Sequence, residues 1–334
     1  MDDAPVIECR QAGKVYRRTE RAGSGLQLLT RFFQRKVVEH TALRAADLVV
    51  RRGEMVGLIG SNGAGKTTPV KCLTGIVPVT SGQAHLLGRD CAAQQIALVM
   101  GQRSQLVWDI PPIDSFRLLQ AVYDVDRATF DKRVREQAER LGVTDRLSVQ
   151  LRQLSLGERM KMEIIGAFLH DPVVAFLDEP TIGLDLVSQE AIRRFLRDLN
   201  RERGVTIVLT SHDMADIEET CDRLVILDTG AVLFDGDLAA LQARLFGKRA
   251  VEVQLSPGSR GWGPDLNAEL APFDAALVRE APRTLTFEVP TARTQSFIRR
   301  LFELFEIHDL SVERQPLEHL VREIFRSGEL RGAP

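Results

Sequence analysis

Gly60-Ser61-Asn62-Gly63-Ala64-Gly65-Lys66-Thr67 fits the spacing G-x-x-x-x-G-K-[ST] and directly follows the apolar run Met55 to Ile59. Glycines at these positions let backbone N–H groups converge on phosphate oxygens, and a helix opening at the loop adds the positive end of its dipole. In such a loop Lys66 neutralises the β- and γ-phosphates of a nucleoside triphosphate, and the Thr67 hydroxyl ligates Mg2+. Downstream, the apolar run Val173 to Leu177 ends in Asp178-Glu179-Pro180. A carboxylate at the end of a buried strand suits a metal held through water, which is the role expected of Asp178. Glu179 beside it is suited to polarising an attacking water, a contribution of about 10²–10⁴-fold in rate. His212 follows another apolar run, Val205 to Ser211. Ligands of open parallel sheets bind at the C-terminal strand ends, which places His212 to meet the γ-phosphate and order the water. The chemistry expected is hydrolysis of a terminal phosphate.

These residues need a parallel sheet to bring them together. Across 155 to 227 short, nearly all-apolar segments (Val173–Leu177, Val205–Thr210, Leu224–Leu227) alternate with helical ones, which predicts an α/β core with a sheet covered on both faces. Residues 6 to 16 predict a strand closing at Tyr16, and residues 112 to 142 predict helix with Phe116, Leu119 and Tyr123 on one face. Between 17 and 36, Arg17, Arg18, Arg21, Arg31, Arg35 and Lys36 face Glu20 alone, and Leu26, Leu29 and Phe33 fall at helical spacing. A short basic amphipathic helix is expected there, packed on its own domain, with contact to anionic lipid headgroups as the alternative. A second unit opens near Gly247, where Val251, Val253 and Leu255 alternate, as do Leu285, Phe287 and Val289. With helices over Ser296–Phe305 and Leu317–Phe325 its order suggests a small, ferredoxin-like α+β domain, and no catalytic constellation is visible in it.

Composition sets outer bounds. In 334 residues, 44 Lys and Arg against 46 Asp and Glu give a net charge of −2, which argues against a nucleic-acid binder working by broad electrostatics. The hydrophobic share of 44% and charged share of 27% suit a globular chain and exclude a disordered, collagenous or rod-like one. Apolar runs fall far short of the ~20 residues that cross a bilayer, and no charged-then-apolar leader opens the chain. A cytosolic protein that works at a membrane is expected. Cys9, Cys72, Cys91 and Cys221 lack metal-ligand spacing and are expected as buried free thiols.

The phosphate-binding loop, Asp178-Glu179, His212 and the segment Leu154-Ser155-Leu156-Gly157-Glu158 together resemble the ATP-binding subunits of ABC transporters. The pentapeptide is similar to their signature motif, commonly LSGGQ, and Thr181 to Asp185 is similar to their D-loop. The resemblance covers about residues 6 to 245, with a helical subdomain at about 103–168, and leaves 247–330 as an accessory domain. It implies a P-loop NTPase fold with an antiparallel N-terminal β part, ATP as substrate with Mg2+, Tyr16 stacked on adenine, Thr68 at the α-phosphate and Gln102 as the Q-loop glutamine beside the metal. It also implies a second ATP-binding subunit, expected as a second copy of the chain. Ser155, as an N-cap with Gly157 and Glu158 behind it, would meet the γ-phosphate held by that opposite subunit, with Asp185 alongside.

Gly101 to Leu106 and the basic insertion resemble a bacterial exporter subgroup that pairs with separately encoded ABC type 2 permeases, with drug- or viologen-like cations among the substrates suggested for its members. The chain would then sit on the inner face of the bacterial cell membrane, and Leu106 to Ile113 would be either core or a docking surface for the permease. Three residues depart from the family pattern. Leu156 and Glu158 stand where Gly and Gln are common, and Glu158 brings a negative charge toward a phosphate unless Arg159 or Lys161 compensates. Pro69 disfavours regular helix after Thr68 and is expected to lower nucleotide affinity. These departures motivate an alternative of low-turnover regulator, beside that of an ABC-type ATPase not coupled to transport.

Overall fold

A computed structural model describes residues 5–20, 36–60, 67–73, 77–88, 93–100, 104–211, 213–245, 248–259, 263, 268–314 and 321. The chain divides into two compact units, Met1–Gly236 and Asp237–Pro334.

In the first unit, β1 (Pro5–Glu20) lies between β2 (Lys36–Arg51) and β4 (Ser81–Leu86) in an antiparallel sheet of order β2-β1-β4. Both long strands outrun the expectation that β1 closes at Tyr16. Their ladder continues to Glu20 opposite Lys36, so residues 17–20 and 36 are strand beyond the expected end. Arg17 sits directly across from Glu39 and bonds it at 2.9 Å, the opposite-charge pairing that favours such a ladder. The residues proposed to form the apolar face of the expected basic helix, Leu26, Leu29 and Phe33, lie outside the described residues.

The second sheet carries the site. It comprises β3 (Met55–Gly60), β5 (Ile96–Met100), β6 (Val174–Asp178), β7 (Thr206–Thr210), β8 (Arg223–Asp228) and β9 (Ala231–Asp237), in the order β5-β6-β7-β3-β8-β9. From β5 to β8 the neighbours pair in parallel. Every residue of β3 and β7 is buried, which explains why these strands read as unbroken apolar runs. Val56, Leu58, Phe176, Val208 and Val225 join one core cluster, each such side chain contributing about 1.5–3 kcal/mol by burial. A glycine is needed at position 57 because a Cβ there would come within 2.7 Å of the Ile217 side chain.

The helices are α1 (Thr67–Leu73), α2 (Pro112–Val122), α3 (Arg127–Leu141), α4 (Leu156–Phe168), α5 (Leu186–Arg203) and α6 (Met214–Thr220), with α7 (Leu238–Leu245) beyond the division. The sequence reading ended the first domain at 245, so α7 is where the two descriptions of the boundary differ. Caps set the ends of α3. The Asp126 side chain accepts from the Ala128 and Thr129 N–H groups, and Gly142 closes it in the left-handed region at φ 65°. Cys9, Cys72 and Cys221 are buried and free, Cys91 lies outside the described residues, and burial pushes the Cys9 and Cys221 thiols up to about 12.

In the second unit β10 (Lys248–Leu255), β11 (Ala276–Ala281), β12 (Thr284–Pro290) and β13 (Ile307–Arg314) form a sheet of order β11-β12-β10-β13 in which neighbouring strands run antiparallel. Val251, Val253, Leu285, Phe287 and Val289 pack with Phe297 and Leu301 of α8 (Thr294–Leu304). This strand order is that of a ferredoxin-like sheet. Of the helix expected over Leu317–Phe325, only Val321 is described, and it is buried.

Candidate functional site

Parallel pairing puts the C-terminal ends of β3, β6 and β7 on one edge of the sheet, so Gly60, Asp178 and Thr210 end neighbouring strands. Asp178 is directly opposite Thr210 in the ladder. The Thr210 hydroxyl donates to Asp178 Oδ1 at 2.5 Å and accepts from the Glu179 N–H at 3.1 Å, while the Thr210 carbonyl accepts from that same N–H at 3.0 Å. One buried threonine therefore fixes both carboxylate-bearing residues. Glu179 holds φ 52°, a left-handed value that a non-glycine residue seldom adopts, and the chain turns sharply just where the carboxylate is needed.

Ser61, Asn62, Gly63, Ala64, Gly65 and Lys66 lie outside the described residues, as do Gln102 and His212. Thr67 opens α1 and Thr68 is half-buried in its first turn. Pro69 sits within that helix, contrary to the expectation that it would disfavour one. In the first turn a proline's missing N–H removes no intrahelical bond. Tyr16 lies in β1 opposite His40, exposed on one side, with Lys14 Nζ 5.2 Å from its ring centroid.

A second arrangement forms at the start of α4. Ser155 is its exposed N-cap, and a complete capping box ties the ends together. Ser155 Oγ accepts from the Glu158 N–H at 3.2 Å, and Glu158 Oε2 accepts from the Ser155 N–H at 2.9 Å. The other Glu158 oxygen accepts from Arg146 Nε at 2.9 Å. Backbone bonding at Ser155, with Arg146 adding to it, holds the Glu158 carboxyl below the usual glutamate range. Of the two compensating residues expected, Arg159 instead lies over the Trp108 ring at 4.8 Å and Lys161 is buried.

Gly157 packs this first turn against the start of α5, where an added Cβ would overlap the Ser188 side chain and come within 3.2 Å of Asp185 Oδ2. Asp185 caps α5, accepting from the Ser188 N–H at 2.9 Å and its hydroxyl at 2.8 Å. Those bonds lower the Asp185 pKa. The structure thus brings Ser155, Gly157, Glu158 and Asp185 together, as it does Asp178 and Glu179.

Sequence reasoning missed what stands behind these residues. Asp216 is buried and accepts from Arg193 Nε at 2.8 Å, from Ser211 Oγ at 2.7 Å and from the Thr181 hydroxyl. It joins the residues just after Glu179-Pro180 to the one just before His212, beside a cavity of about 60 Å³ lined by Glu179, Thr181, Gln189, Ser211 and Asp213. Glu163, buried in α4, accepts from the Ser104 hydroxyl and from the Gln105 N–H at 2.9 Å. Burial raises its pKa. Polar residues inside apolar stretches were the available signal for Thr210 and Glu163, whereas Asp216, in the polar segment Ser211 to Thr220, carried none. The run Leu106 to Ile113 divides: Leu106 and Pro112 are buried, whereas Val107 and Trp108 are exposed.

A parallel sheet with paired carboxylates at a strand end, beside a serine-capped helix packed on the capped start of α5, defines a nucleotide-hydrolysing cassette of the P-loop class. The comparisons make this specific. A family model described as "ABC transporter" matches residues 43–182. The ABC transporter ATP-binding protein NatA of Bacillus subtilis (strain 168) is 30% identical over 218 residues, covering 64% of this chain and 88% of that protein. The linearmycin resistance ATP-binding protein LnrL of the same organism is 30% identical over 221 residues, covering 65% and 71%. Methionine import proteins are among the other relatives. A solved ATP-binding subunit of an ABC transporter superposes with a TM-score of 0.59 at 27% identity, covering 72% of this chain and 92% of that one. The chain belongs to the ATP-binding subunits of ABC transporters, a family of ATPases.

Proposed function

We propose that this chain powers export through a separately encoded type 2 membrane permease, working as a pair of copies on the inner face of the membrane. The observation that carries the pairing is the exposed, serine-capped start of α4. A helix end of this kind is complementary to an anion, and a second copy would supply that anion as the γ-phosphate of its own nucleotide. Residues 6–245 form the cassette, with a helical part at about 103–168, and 247–330 an accessory domain.

In this reading Gly60 to Thr68 hold the phosphates, Lys66 at the β- and γ-positions, and Tyr16 stacks on adenine. Oxygen donors from Asp178, Thr67 and Gln102 suit Mg2+, which is held by few protein groups together with substrate phosphates. When bound, the ion neutralises charge on the β- and γ-oxygens. Glu179 takes a proton from the attacking water as its oxygen bonds to the γ-phosphorus, and the bond to the β-phosphate oxygen breaks. His212 orients that water and the γ-phosphate. Ser155, Gly157 and Glu158 close the site from the opposite copy, with Asp185 beside them. Exposed Val107 and Trp108 suit docking of the permease.

LnrL, named for linearmycin resistance, supports export, as does the resemblance of Gly101–Leu106 and of the basic insertion to the exporter subgroup. The test is phosphate release by the purified chain, followed by co-purification with the permease it recruits from membranes and substrate flux in vesicles. Turnover lost in Glu179→Gln together with outward flux is the expected result. Turnover that survives Glu179→Gln, or ATP-driven uptake, would overturn the reading.

A further inference from the structure

Glu158 places a carboxylate on the first turn of the helix whose end, on the reading above, receives a phosphate. An acid there competes with an incoming anion for the positive helix end. Its carboxylate is pinned on both oxygens, Oε2 by the Ser155 N–H within the capping box and Oε1 by Arg146 Nε, each at 2.9 Å. We propose that Arg146 is a positioning residue for ATP-driven pairing of two copies. It holds the Glu158 carboxylate in the capping box and offsets its charge, so that the start of α4 can still take the phosphate of a nucleotide bound by the other copy. The proposal rests on the pairing described under the proposed function.

Arg146 is itself held in place. Its N–H bonds the Val143 carbonyl at 3.0 Å, and its carbonyl accepts from Val149 at 3.1 Å. The guanidinium therefore projects from a fixed turn rather than from a free loop. Asp145 shares it at the longer distance of 3.6 Å, so Glu158 is the nearer anion. Arg159 is occupied with Trp108 and Lys161 is buried, which leaves Arg146 as the cation bonded to Glu158. Glutamine at position 158 would preserve the capping box without the charge, and it would have no need of Arg146.

The experiment uses the full chain carrying Glu179→Gln, with light scattering to find the Mg-ATP concentration that half-converts monomer to dimer. Arg146→Ala is expected to raise that concentration about tenfold at low salt, and less at high salt. Arg146→Lys should keep it within about threefold, and Arg146→Ala with Glu158→Gln within about twofold of Glu158→Gln alone. Affinity of the monomer for a fluorescent ATP analogue should not change. An unshifted Arg146→Ala overturns the proposal. So does a double variant as defective as Arg146→Ala, because a purely structural arginine would not be rescued by removing a charge elsewhere. If the chain with Arg146 intact forms no ATP-dependent dimer, the pairing reading fails and this inference fails with it.

Discussion

Removing one hydroxyl from Thr210 isolates the contribution of the carboxylate geometry. Thr210 is fully buried at the end of β7, so Thr210→Val keeps the shape and deletes two contacts. One is the 2.5 Å bond to Asp178, the other the 3.1 Å bond from the Glu179 N–H. The second loss is cushioned, because the Thr210 carbonyl still accepts that N–H at 3.0 Å. The first is a bond to a charged group, where removal costs about 1.5–3 kcal/mol. If that alignment is needed in the transition state, kcat for ATP hydrolysis falls about 10- to 150-fold, while nucleotide affinity changes little. Phosphate release at saturating Mg-ATP measures the first, and equilibrium binding of a fluorescent nucleotide the second. Thr210→Ser, which keeps the hydroxyl, should recover most of the rate. Wild-type kcat in Thr210→Val would refute the argument that this threonine aligns Asp178 and Glu179.

Ser155→Ala removes the α4 cap and should destabilise the chain by about 1 kcal/mol in chemical denaturation, in addition to weakening ATP-driven pairing. Asp216→Ala leaves the Arg193 guanidinium buried without its main partner. It should cost about 3–5 kcal/mol in the same assay, with the Thr181 and Ser211 hydroxyls also losing their acceptor. The raised pKa of Glu163 has a definite sign: the native state holds this proton more tightly than the unfolded state does, whose value is near 4.5. Wild type should therefore lose stability relative to Glu163→Gln as pH rises from about 4.5 through the native pKa. Parallel melting curves across that range check it, and a difference independent of pH would count against a buried, titrating Glu163.

Much of the fold was legible because it rests on periodicity. The nearly all-apolar segments Val173–Leu177 and Val205–Thr210 pointed to strands buried on both faces of a covered parallel sheet, and alternation over Val251–Leu255 showed a sheet with one buried face. The ribbon beyond Tyr16 was missed because Arg17, Arg18, Thr19 and Glu20 carry no apolar alternation. What the ladder adds is cross-strand pairing such as Arg17 with Glu39, which is visible only once the register is known. At the site, residues carrying chemistry at fixed spacing were readable, including the Ser155 cap and the carboxylates at 178 and 179. Their supports were not. Arg146 reaches Glu158 from a different turn, and Arg193 reaches Asp216 from a different helix. Such partners follow from tertiary packing, and one sequence offers no periodic signature for them. Glu158, which looked like a defect in the signature, acquires a role once both partners of its carboxylate are seen.

The central claim is that each hydrolytic site is built from two copies, Glu179 from one and Ser155 from the other. Complementation tests it most directly: Glu179→Gln and Ser155→Arg are purified separately, mixed, and assayed for phosphate release. Each alone should be inactive. In a mixed dimer one site combines an intact Glu179 with an intact Ser155, so random pairing should restore about a quarter of wild-type activity. A mixture as inactive as its components, formed under conditions where the two chains do pair, would contradict the account.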